Sequence, residues 1–170
     1  MRIIARGLLG IALVGVTAHA FTPAQAHWPG PSADWQTFAV PDFGTTVDYP
    51  AGIFSVTDGK ADKGVGRKFS SADGSALLTV YSTVNDTGET PMSYLRSNLR
   101  LPRSALDYER ITPAFFAISS TRQGLIFYSR CNFSAGAAIH CFDLVYPSRH
   151  KRAWDHIVTR ISRSLRPLEG

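Results

Sequence analysis

The only two cysteines of the chain lie ten positions apart in RCNFSAGAAIHCFDL, residues 130–144. A cysteine pair can form a structural disulfide, act as a redox couple, or supply half of a zinc site. If Gly136 is the centre of a turn between two strands, Cys131 and Cys141 lie directly opposite each other in an antiparallel pair. Opposed Cβ atoms are about 4.5–5.5 Å apart, which approaches the distance that a disulfide requires. The spacing therefore favours a disulfide.

The redox and metal alternatives have less support. Redox pairs are usually spaced C-x-x-C at the start of a helix, whereas both cysteines here fall in predicted strands. A zinc site needs four ligands. His140 precedes Cys141 directly, so the alternation of a strand directs it to the opposite face. The other histidines that remain after the predicted cleavage described below are His27, His150 and His156. We predict a disulfide between Cys131 and Cys141, no metal site and no cofactor.

A second group of chemically capable residues lies in the last helical segment, PSRHKRAWDHIVTRISRSLRP, residues 147–167. At 100° per residue, five basic side chains fall within about 80° of one another on this helix. They are Arg149, Arg152, His156, Arg160 and Arg163. We predict that this face binds an anionic partner; the alternative is an ordinary solvated helix face. Three further arginines, Arg96, Arg100 and Arg103, would extend the surface if both predicted helices share one side of the sheet.

Local motifs of the common catalytic and nucleotide-binding sites give no lead. The chain has no G-x-S-x-G and no H-E-x-x-H, and GKADKGVGRK (residues 59–68) lacks the G-K-[ST] order with which a loop cradles phosphate. We therefore predict no catalytic residues. The alternative function is a small periplasmic hydrolase whose site is assembled from distant residues, since such a site leaves no local motif.

The first 26 residues, MRIIARGLLGIALVGVTAHAFTPAQA, have the pattern of a cleaved signal peptide. Arg2 and Arg6 precede an apolar run of about ten residues, which is too short for a membrane span of roughly 20 residues. The run ends before Ala24-Gln25-Ala26, a small-x-small cleavage site. We predict Sec-type export into the periplasm or out of the cell, with a mature chain that begins at His27; the alternative is a buried N-terminal helix. No later segment is long and apolar enough to span a membrane.

The charge of the mature chain limits its partners. Removal of Arg2 and Arg6 lowers the formal net charge from +5 to +3. The segment 148–166 has six Lys and Arg against Asp155 alone, so it carries +5 and leaves −2 elsewhere. A nucleic-acid partner is not expected of a chain so mildly basic, because nucleic-acid binders neutralise many phosphates. The predicted partner is a protein or an anionic component of the cell envelope.

Strands must position most of these groups. From residue 44 the chain shows short apolar segments bounded by Pro, Gly and Asp-Gly, which is typical of antiparallel strands. Eight strands are predicted, over 45–50, 53–59, 66–74, 75–84, 107–112, 115–122, 125–133 and 138–146. The last two have apolar residues in both alternating sets, which predicts a sheet covered on both faces.

Two helices are predicted between and after these strands. In ETPMSYLRSNLRLP (residues 89–102), Thr90 can cap the helix and Pro91 suits its first position, because the missing N–H had no partner there. Residues 147–167 form the second helix, because apolar residues recur every three or four positions on one face. They are Trp154, Ile157, Val158, Ile161 and Leu165.

The order of these elements resembles the Mog1/PsbP-like fold over about residues 44–166. The resemblance rests on VDYPAGIFSV, then GRKFSSADGSALLTVY, a capped helix, a strand meander and a C-terminal amphipathic helix. It implies a fold shared by binding and assembly proteins, including a photosynthetic accessory subunit and a GTPase-binding protein, with no common catalytic centre. No functional residue carries over from that family. The resemblance thus lowers the expectation of an enzyme.

The predicted architecture is a single α+β domain over residues 44–166. Its antiparallel meander of about eight strands and two main helices form an α/β/α-like sandwich. A Pro- and Gly-rich tether covers residues 27–43 and a short tail covers 167–170. The predicted function is an exported, non-catalytic binding or accessory module.

Overall fold

A computed structural model of the chain describes residues 34–99, 102–134 and 138–167. The predicted signal peptide, its cleavage site, residues 27–33 of the predicted tether, Arg100 and residues 168–170 lie outside the described residues. The described strands are β1 Trp35–Val40, β2 Thr45–Pro50, β3 Val56–Lys60, β4 Val65–Ser70, β5 Leu77–Val84, β6 Tyr108–Ile111, β7 Phe115–Arg122, β8 Leu125–Ser134, β9 Ala138–Pro147 and β10 Arg166–Pro167. The helices are α1 Pro91–Asn98 and α2 Lys151–Ser164.

The strands form two antiparallel sheets, and the predicted α+β class is confirmed. A seven-stranded sheet has the order β3-β4-β5-β9-β8-β7-β6, and a three-stranded sheet has the order β1-β2-β10. After β5 the chain crosses through α1 to β6 at the far edge of the large sheet. It then returns strand by strand, so that β9 pairs with β5. The described residues therefore contain ten strands rather than about eight, and the two additional pairings lie at the ends of the domain.

Each face of the large sheet has its own core, because successive side chains of a strand point to opposite faces. On one face, Phe142 and Leu144 of β9 pack with Trp154 and Ile161 of α2 and with Val47 of the small sheet. Leu165, at the end of α2, joins that core. On the other face, residues of β5, β7, β8 and β9 pack with α1; they are Tyr81, Phe116, Cys131, Ile139 and Cys141 with Tyr94 and Leu95. The helices therefore lie on opposite faces of the sheet.

Helix α1 begins as the sequence predicts. The Thr90 hydroxyl accepts a hydrogen bond from the Ser93 amide at 3.1 Å, and the Thr90 amide donates to the Ser93 hydroxyl at 2.9 Å. This reciprocal capping box satisfies two amides at the helix start. Pro91 occupies the first helical position.

The tether predicted over residues 27–43 is wrong in its second half. Trp35–Val40 form β1, which pairs with β2 along its whole length, from Trp35 opposite Pro50 to Val40 opposite Thr45. Val40 is buried in the core beneath α2. The Pro- and Gly-rich composition that suggested a tether is overridden here by pairing with a strand that lies ahead in the chain. At the other end, Pro167 belongs to β10 rather than to a free tail.

The two predicted Asp-Gly reversals have different outcomes. Asp73-Gly74 forms the turn between β4 and β5, and the Asp73 carboxylate accepts hydrogen bonds from Ser71 and Ser75, which lowers its pKa to about 2. Gly59 lies inside β3 instead, next to a bulge where the register shifts between Thr57 and Gly59. A strand bulge tolerates glycine as a turn does. The reversal predicted from Asp58-Gly59 is therefore wrong, because this pair lies within a bulged strand rather than in a turn.

The two helices are short for a bilayer. Within the described ranges, no helix is long and apolar enough to cross a membrane.

Candidate binding surfaces around the C-terminal helix

The two cysteines meet where the predicted register places them. Cys131 of β8 lies directly opposite Cys141 of β9, which confirms the pairing inferred from the symmetry about Gly136. Their Sγ atoms are 2.03 Å apart, the distance of a disulfide bond. Both residues are fully buried on the α1 face. His140, which precedes Cys141 and lies opposite Asn132, faces the α2 side, so the three residues do not share a site.

Loss of this disulfide is expected to destabilise the domain without preventing folding. The bond closes a loop of ten residues, for which chain-entropy arguments give about 2–3 kcal/mol. Protein purified from an oxidising compartment should show no free thiol before reduction and two afterwards. The double variant Cys131→Ser/Cys141→Ser should unfold at a lower urea concentration than the oxidised wild type, and at about the same concentration as the reduced wild type. Two thiols that react at once in native exported protein would contradict the pairing.

The predicted basic face lies on the solvent side of α2. Arg152, His156, Arg160 and Arg163 are all exposed on the helix, opposite its buried residues Trp154, Ile157, Val158 and Ile161. Arg149 precedes the helix in a short 3-10 turn and is also exposed. We refer to Arg152, His156, Arg160 and Arg163 as the basic stripe. Its role in binding remains a prediction.

One contact is made by a stripe residue and another lies beside the stripe on α2. The Arg160 guanidinium lies over the indole ring of Trp35 in β1, with Cζ 4.0 Å from the ring centroid. The Lys151 ammonium pairs with Asp155 at 2.9 Å, one turn along the helix. Among the described residues, Arg152, Arg160 and Arg163 form no ion pair. The stripe therefore presents guanidinium groups whose charge is not neutralised within the domain.

The predicted extension of the basic face by the first helix is wrong. Arg96 lies on α1, which packs on the opposite face of the large sheet. Arg103 follows α1 and forms an ion pair with Glu109 of β6. The two helices share no side, so these arginines cannot join the stripe.

A cleft that was not predicted from the sequence runs between α2 and strands β6–β8. Its volume is about 550 Å³, within the range of small-molecule sites. Small side chains on β7 form its floor, because Ser119 lies between Tyr108 and Tyr128 in register and Ala117 lies between Arg110 and Arg130. Large residues thus flank small ones, and the sheet surface is concave there. Helix α2 contributes the opposite wall; the wall residues are Lys151, Asp155, Val158, Thr159, Ser162 and Arg163.

Two guanidinium groups converge in this cleft on one aromatic ring. Arg130 Cζ lies 4.3 Å from the centroid of the Phe115 ring, and Arg110 Cζ lies 5.3 Å from it. Neutral partners position Arg130, whose Nη1 donates to Ser162 Oγ at 3.0 Å and whose Nε donates to Asn132 Oδ1 at 2.9 Å. Burial lowers the pKa of Arg130, and the neighbouring charge of Arg110 lowers it further.

The sequence contained one signal of this cleft. The even-numbered residues of β8 that face α2 are apolar or aromatic at Ile126 and Tyr128, then polar at Arg130 and Asn132. A polar half within a strand that otherwise faces a core indicates a site at the edge of that core. Arg110 and Phe115 gave no such signal, because only the pairing of three strands brings them beside Arg130.

A histidine, a threonine and two serines form a second cluster on the same face. The Nδ1 atom of His140 lies 2.6 Å from the Thr45 hydroxyl, which also contacts the Ser82 hydroxyl. The Nε2 atom of His140 lies 3.3 Å from Ser134 Oγ. Thr45, Ser82 and His140 are at most 1% exposed, and burial lowers the pKa of His140. The cluster joins the small sheet to the large one, and its histidine ring is buried between them.

The spacing of Ser148 and Lys151 matches the nucleophile motif S-x-x-K. Lys151 lies at the start of α2, where its ammonium is held by Asp155 at 2.9 Å. A lysine that serves as the base lies within hydrogen-bond reach of the nucleophile, whereas the Lys151 ammonium contacts both carboxylate oxygens of Asp155. The structure therefore gives this pair no arrangement suited to nucleophilic catalysis.

Among the described residues, no group of three or more His, Cys, Asp or Glu side chains is arranged to hold a metal ion.

Comparisons with known proteins show the fold alone. No model of a known protein family matches the chain, and no curated protein matches it. The structure is similar to the solution structure of cyanobacterial PsbP, CyanoP, from Synechocystis sp. PCC 6803, with a TM-score of 0.61. The match covers 84% of this chain and 98% of that chain at 12% sequence identity. The chain therefore has a PsbP-like fold, and the predicted fold-level resemblance is confirmed.

Proposed function

We propose that this protein is an exported, non-catalytic binding or accessory module that docks onto an anionic partner through the basic stripe of α2. The partner is a protein or another anionic component of the cell envelope. The observation that carries the proposal is the row of exposed guanidinium groups at Arg152, Arg160 and Arg163 on one helix, none of which forms an ion pair with another described residue. A fixed row of like charges is a surface that attracts and orients a partner of opposite charge.

Export is supported by two features at opposite ends of the chain. The N-terminal sequence has the charged, apolar and small-x-small regions of a signal peptide. The Cys131–Cys141 pair at bonding distance is the state that cysteines adopt in an oxidising compartment. A mature protein that begins at His27, measured by mass spectrometry, would support export.

A binding role is preferred to hydrolysis because the clusters closest to a catalytic site lack what catalysis needs. In the His140 cluster Thr45, Ser82 and His140 are buried, and the His140 ring contacts hydroxyl groups there rather than a carboxylate. A hydrolytic base needs both access to substrate and a partner that orients it. The stripe meets the simpler requirements of a docking surface, which are exposure, charge and rigidity.

Charge reversal within the stripe tests the proposal. The mature wild-type domain is used to capture partners from the native envelope, beside the variant Arg152→Glu/Arg160→Glu/Arg163→Glu. We expect captured partner to fall by about tenfold or more, since charge-assisted contacts are lost and repulsion replaces them. Capture by the wild type should also weaken as salt rises, because exposed charges are screened over roughly 8–10 Å.

The matched control has the same charge change elsewhere on the surface. Arg67 of β4, Arg96 of α1 and Arg122 of β7 are exposed and belong to elements other than α2, so their reversal to Glu should leave capture close to wild type. Because Arg160 also covers Trp35, the double variant Arg152→Glu/Arg163→Glu tests the charge without removing that contact. Equal capture by the folded triple variant and by the wild type would reduce the stripe to a solvated helix face.

A further inference from the structure

We propose that the cleft between α2 and β6–β8 is a binding site for a small organic anion, a carboxylate or phosphate joined to an apolar or aromatic body. Arg130 and Arg110 would hold the anionic group, and the aromatic side chains that flank the floor would contact the body. The cleft shares Arg163 with the basic stripe, but its floor is formed by strands β6–β8, and the proposal does not depend on the docking function.

The first argument is the charge of the cleft floor. Arg110 and Arg130 face the same Phe115 ring from 5.3 and 4.3 Å, and both lie in register with Ala117 between them. Two like charges that contact the same ring repel each other. Among the described residues, neither guanidinium forms an ion pair. A bound anion would relieve this repulsion, which no group within the described domain does.

The second argument is the fixed orientation of Arg130. It donates hydrogen bonds to two neutral acceptors, Ser162 Oγ and Asn132 Oδ1, and Ser162 Oγ is itself 3.1 Å from the Tyr128 hydroxyl. Guanidinium has five N–H donors in a planar fork, so donors remain after these two bonds. An arginine that is half-buried and held by neutral groups is prepared to bind carboxylate or phosphate in two-point contact.

The carboxylates of the cleft do not neutralise this pair. Asp155 is engaged by the Lys151 ammonium at 2.9 Å. Asp107 accepts a hydrogen bond from the Thr121 hydroxyl at 2.7 Å. The cleft therefore keeps a net positive floor, with Arg163 adding a further cation at its rim.

The third argument is the shape and lining of the cleft. Tyr108, Ser119 and Tyr128 form a second row of the floor, beside the row of Arg110, Ala117 and Arg130. The Tyr108 side chain is 45% exposed. Ile126 and Val158 add apolar surface. A volume of about 550 Å³ accommodates a small molecule and not a folded partner. A charged floor beside aromatic walls selects an amphipathic anion over a bare ion.

Three probes separate charge from shape. The isotope-labelled mature, oxidised domain is titrated with inorganic phosphate, phenyl phosphate or benzyl alcohol, and binding is followed by NMR. We expect phenyl phosphate to bind several-fold more tightly than inorganic phosphate and benzyl alcohol to bind most weakly. The changes in amide chemical shift caused by phenyl phosphate should be concentrated at residues 115–119 and 128–130. Shift changes spread over all exposed basic residues would overturn the proposal. Absence of binding by either anion at a concentration on the order of 10 mM, about the weakest affinity worth measuring, would overturn it as well.

Variants then assign the charge. Arg130→Gln should weaken phenyl phosphate binding by about tenfold or more, the scale of one charge-assisted hydrogen bond. Arg110→Gln should weaken it several-fold, while Arg96→Gln, which removes the same charge on the opposite face of the sheet, should leave it unchanged. If Arg130→Gln does not fold, Arg110→Gln and Arg130→Lys still decide the matter, because one removes an exposed charge and the other keeps charge but loses the planar fork.

The same measurements keep this proposal separate from docking. Arg152→Glu lies outside the cleft and should reduce partner capture without altering phenyl phosphate affinity. Equal weakening by Arg96→Gln and Arg110→Gln would indicate general attraction to a basic domain and would overturn the site. Loss of partner capture in Arg152→Glu with unchanged phenyl phosphate binding is the result that both proposals expect.

Discussion

The variant Trp154→Ala is expected to lower the free energy of unfolding by about 3–5 kcal/mol. Trp154 has no exposed surface; its indole stacks on the Tyr146 ring at 4.8 Å and meets the Phe54 ring edge-on at 5.9 Å. Truncation removes this contact area and leaves a cavity that the rigid sheet beneath cannot close. The loss is a large share of the 5–15 kcal/mol that is typical of a whole domain.

Urea unfolding followed by circular dichroism measures this loss. His156→Ala is the matched control, because it removes an exposed side chain from the same helix and should change stability by only about 0.5 kcal/mol. Trp154→Phe should fall between the two, since a ring remains against Tyr146. A loss below about 1 kcal/mol for Trp154→Ala would show that α2 is not anchored at this residue.

The same variant separates stability from docking. Trp154 lies on the buried face of α2, so Trp154→Ala should reduce partner capture only as far as it unfolds the domain. Charge reversal in the basic stripe should reduce capture in a domain that remains folded. The two effects are therefore distinguishable at low temperature, where the Trp154→Ala variant retains part of its structure.

Local patterns predicted most of the elements. The apolar positions of α2, the capping box at Thr90 and the bounds of β7 all follow from periodicity or from one residue's chemistry. The register of β8 and β9 follows from the symmetry of the sequence about Gly136, because a hairpin pairs residues equidistant from its turn. Such features depend on neighbours in the chain, so a single sequence is enough to find them.

Features that depend on distant segments were not predictable in the same way. Strand β1 pairs with β2, and the side of the sheet on which each helix lies is decided by the crossover after β5. The alternation of β9 shows that both faces are buried, but it does not show which helix covers which face. The placement of Arg96 on the opposite side from the stripe is therefore a result of topology alone.

The cleft shows the same limit more strongly. Arg110, Phe115 and Arg130 come from three strands, and they converge only because β6, β7 and β8 pair in one register. Each residue alone reads as an ordinary member of its strand. The basic stripe, in contrast, lies on one helix, and the 100° spacing of its residues was sufficient to find it.

The second large effect is expected for Gly66→Ala in β4. An ideal Cβ built at Gly66 would clash with the carbonyl oxygen of Val80 and lie 2.6 Å from the Cα of Tyr81, both in the backbone of β5. Backbone atoms of a central strand cannot move aside as a flexible side chain can, so the methyl group must push β4 away from β5. We expect a loss of about 3 kcal/mol or more in unfolding free energy, at the upper end for overpacking.

Gly74→Ala is the matched control for the glycine itself. Gly74 has a φ of +69°, which an alanine adopts with strain, but no atom lies within 4 Å of the position its Cβ would take. Its substitution should cost about 1–2 kcal/mol from backbone conformation alone, so urea unfolding should rank Gly66→Ala as the more damaging change. Hydrogen exchange at the amides of β4 should also rise in Gly66→Ala and not in Gly74→Ala. Equal losses of unfolding free energy in the two variants would mean that β4 moves to accommodate the methyl group, and that strand packing does not require glycine at position 66.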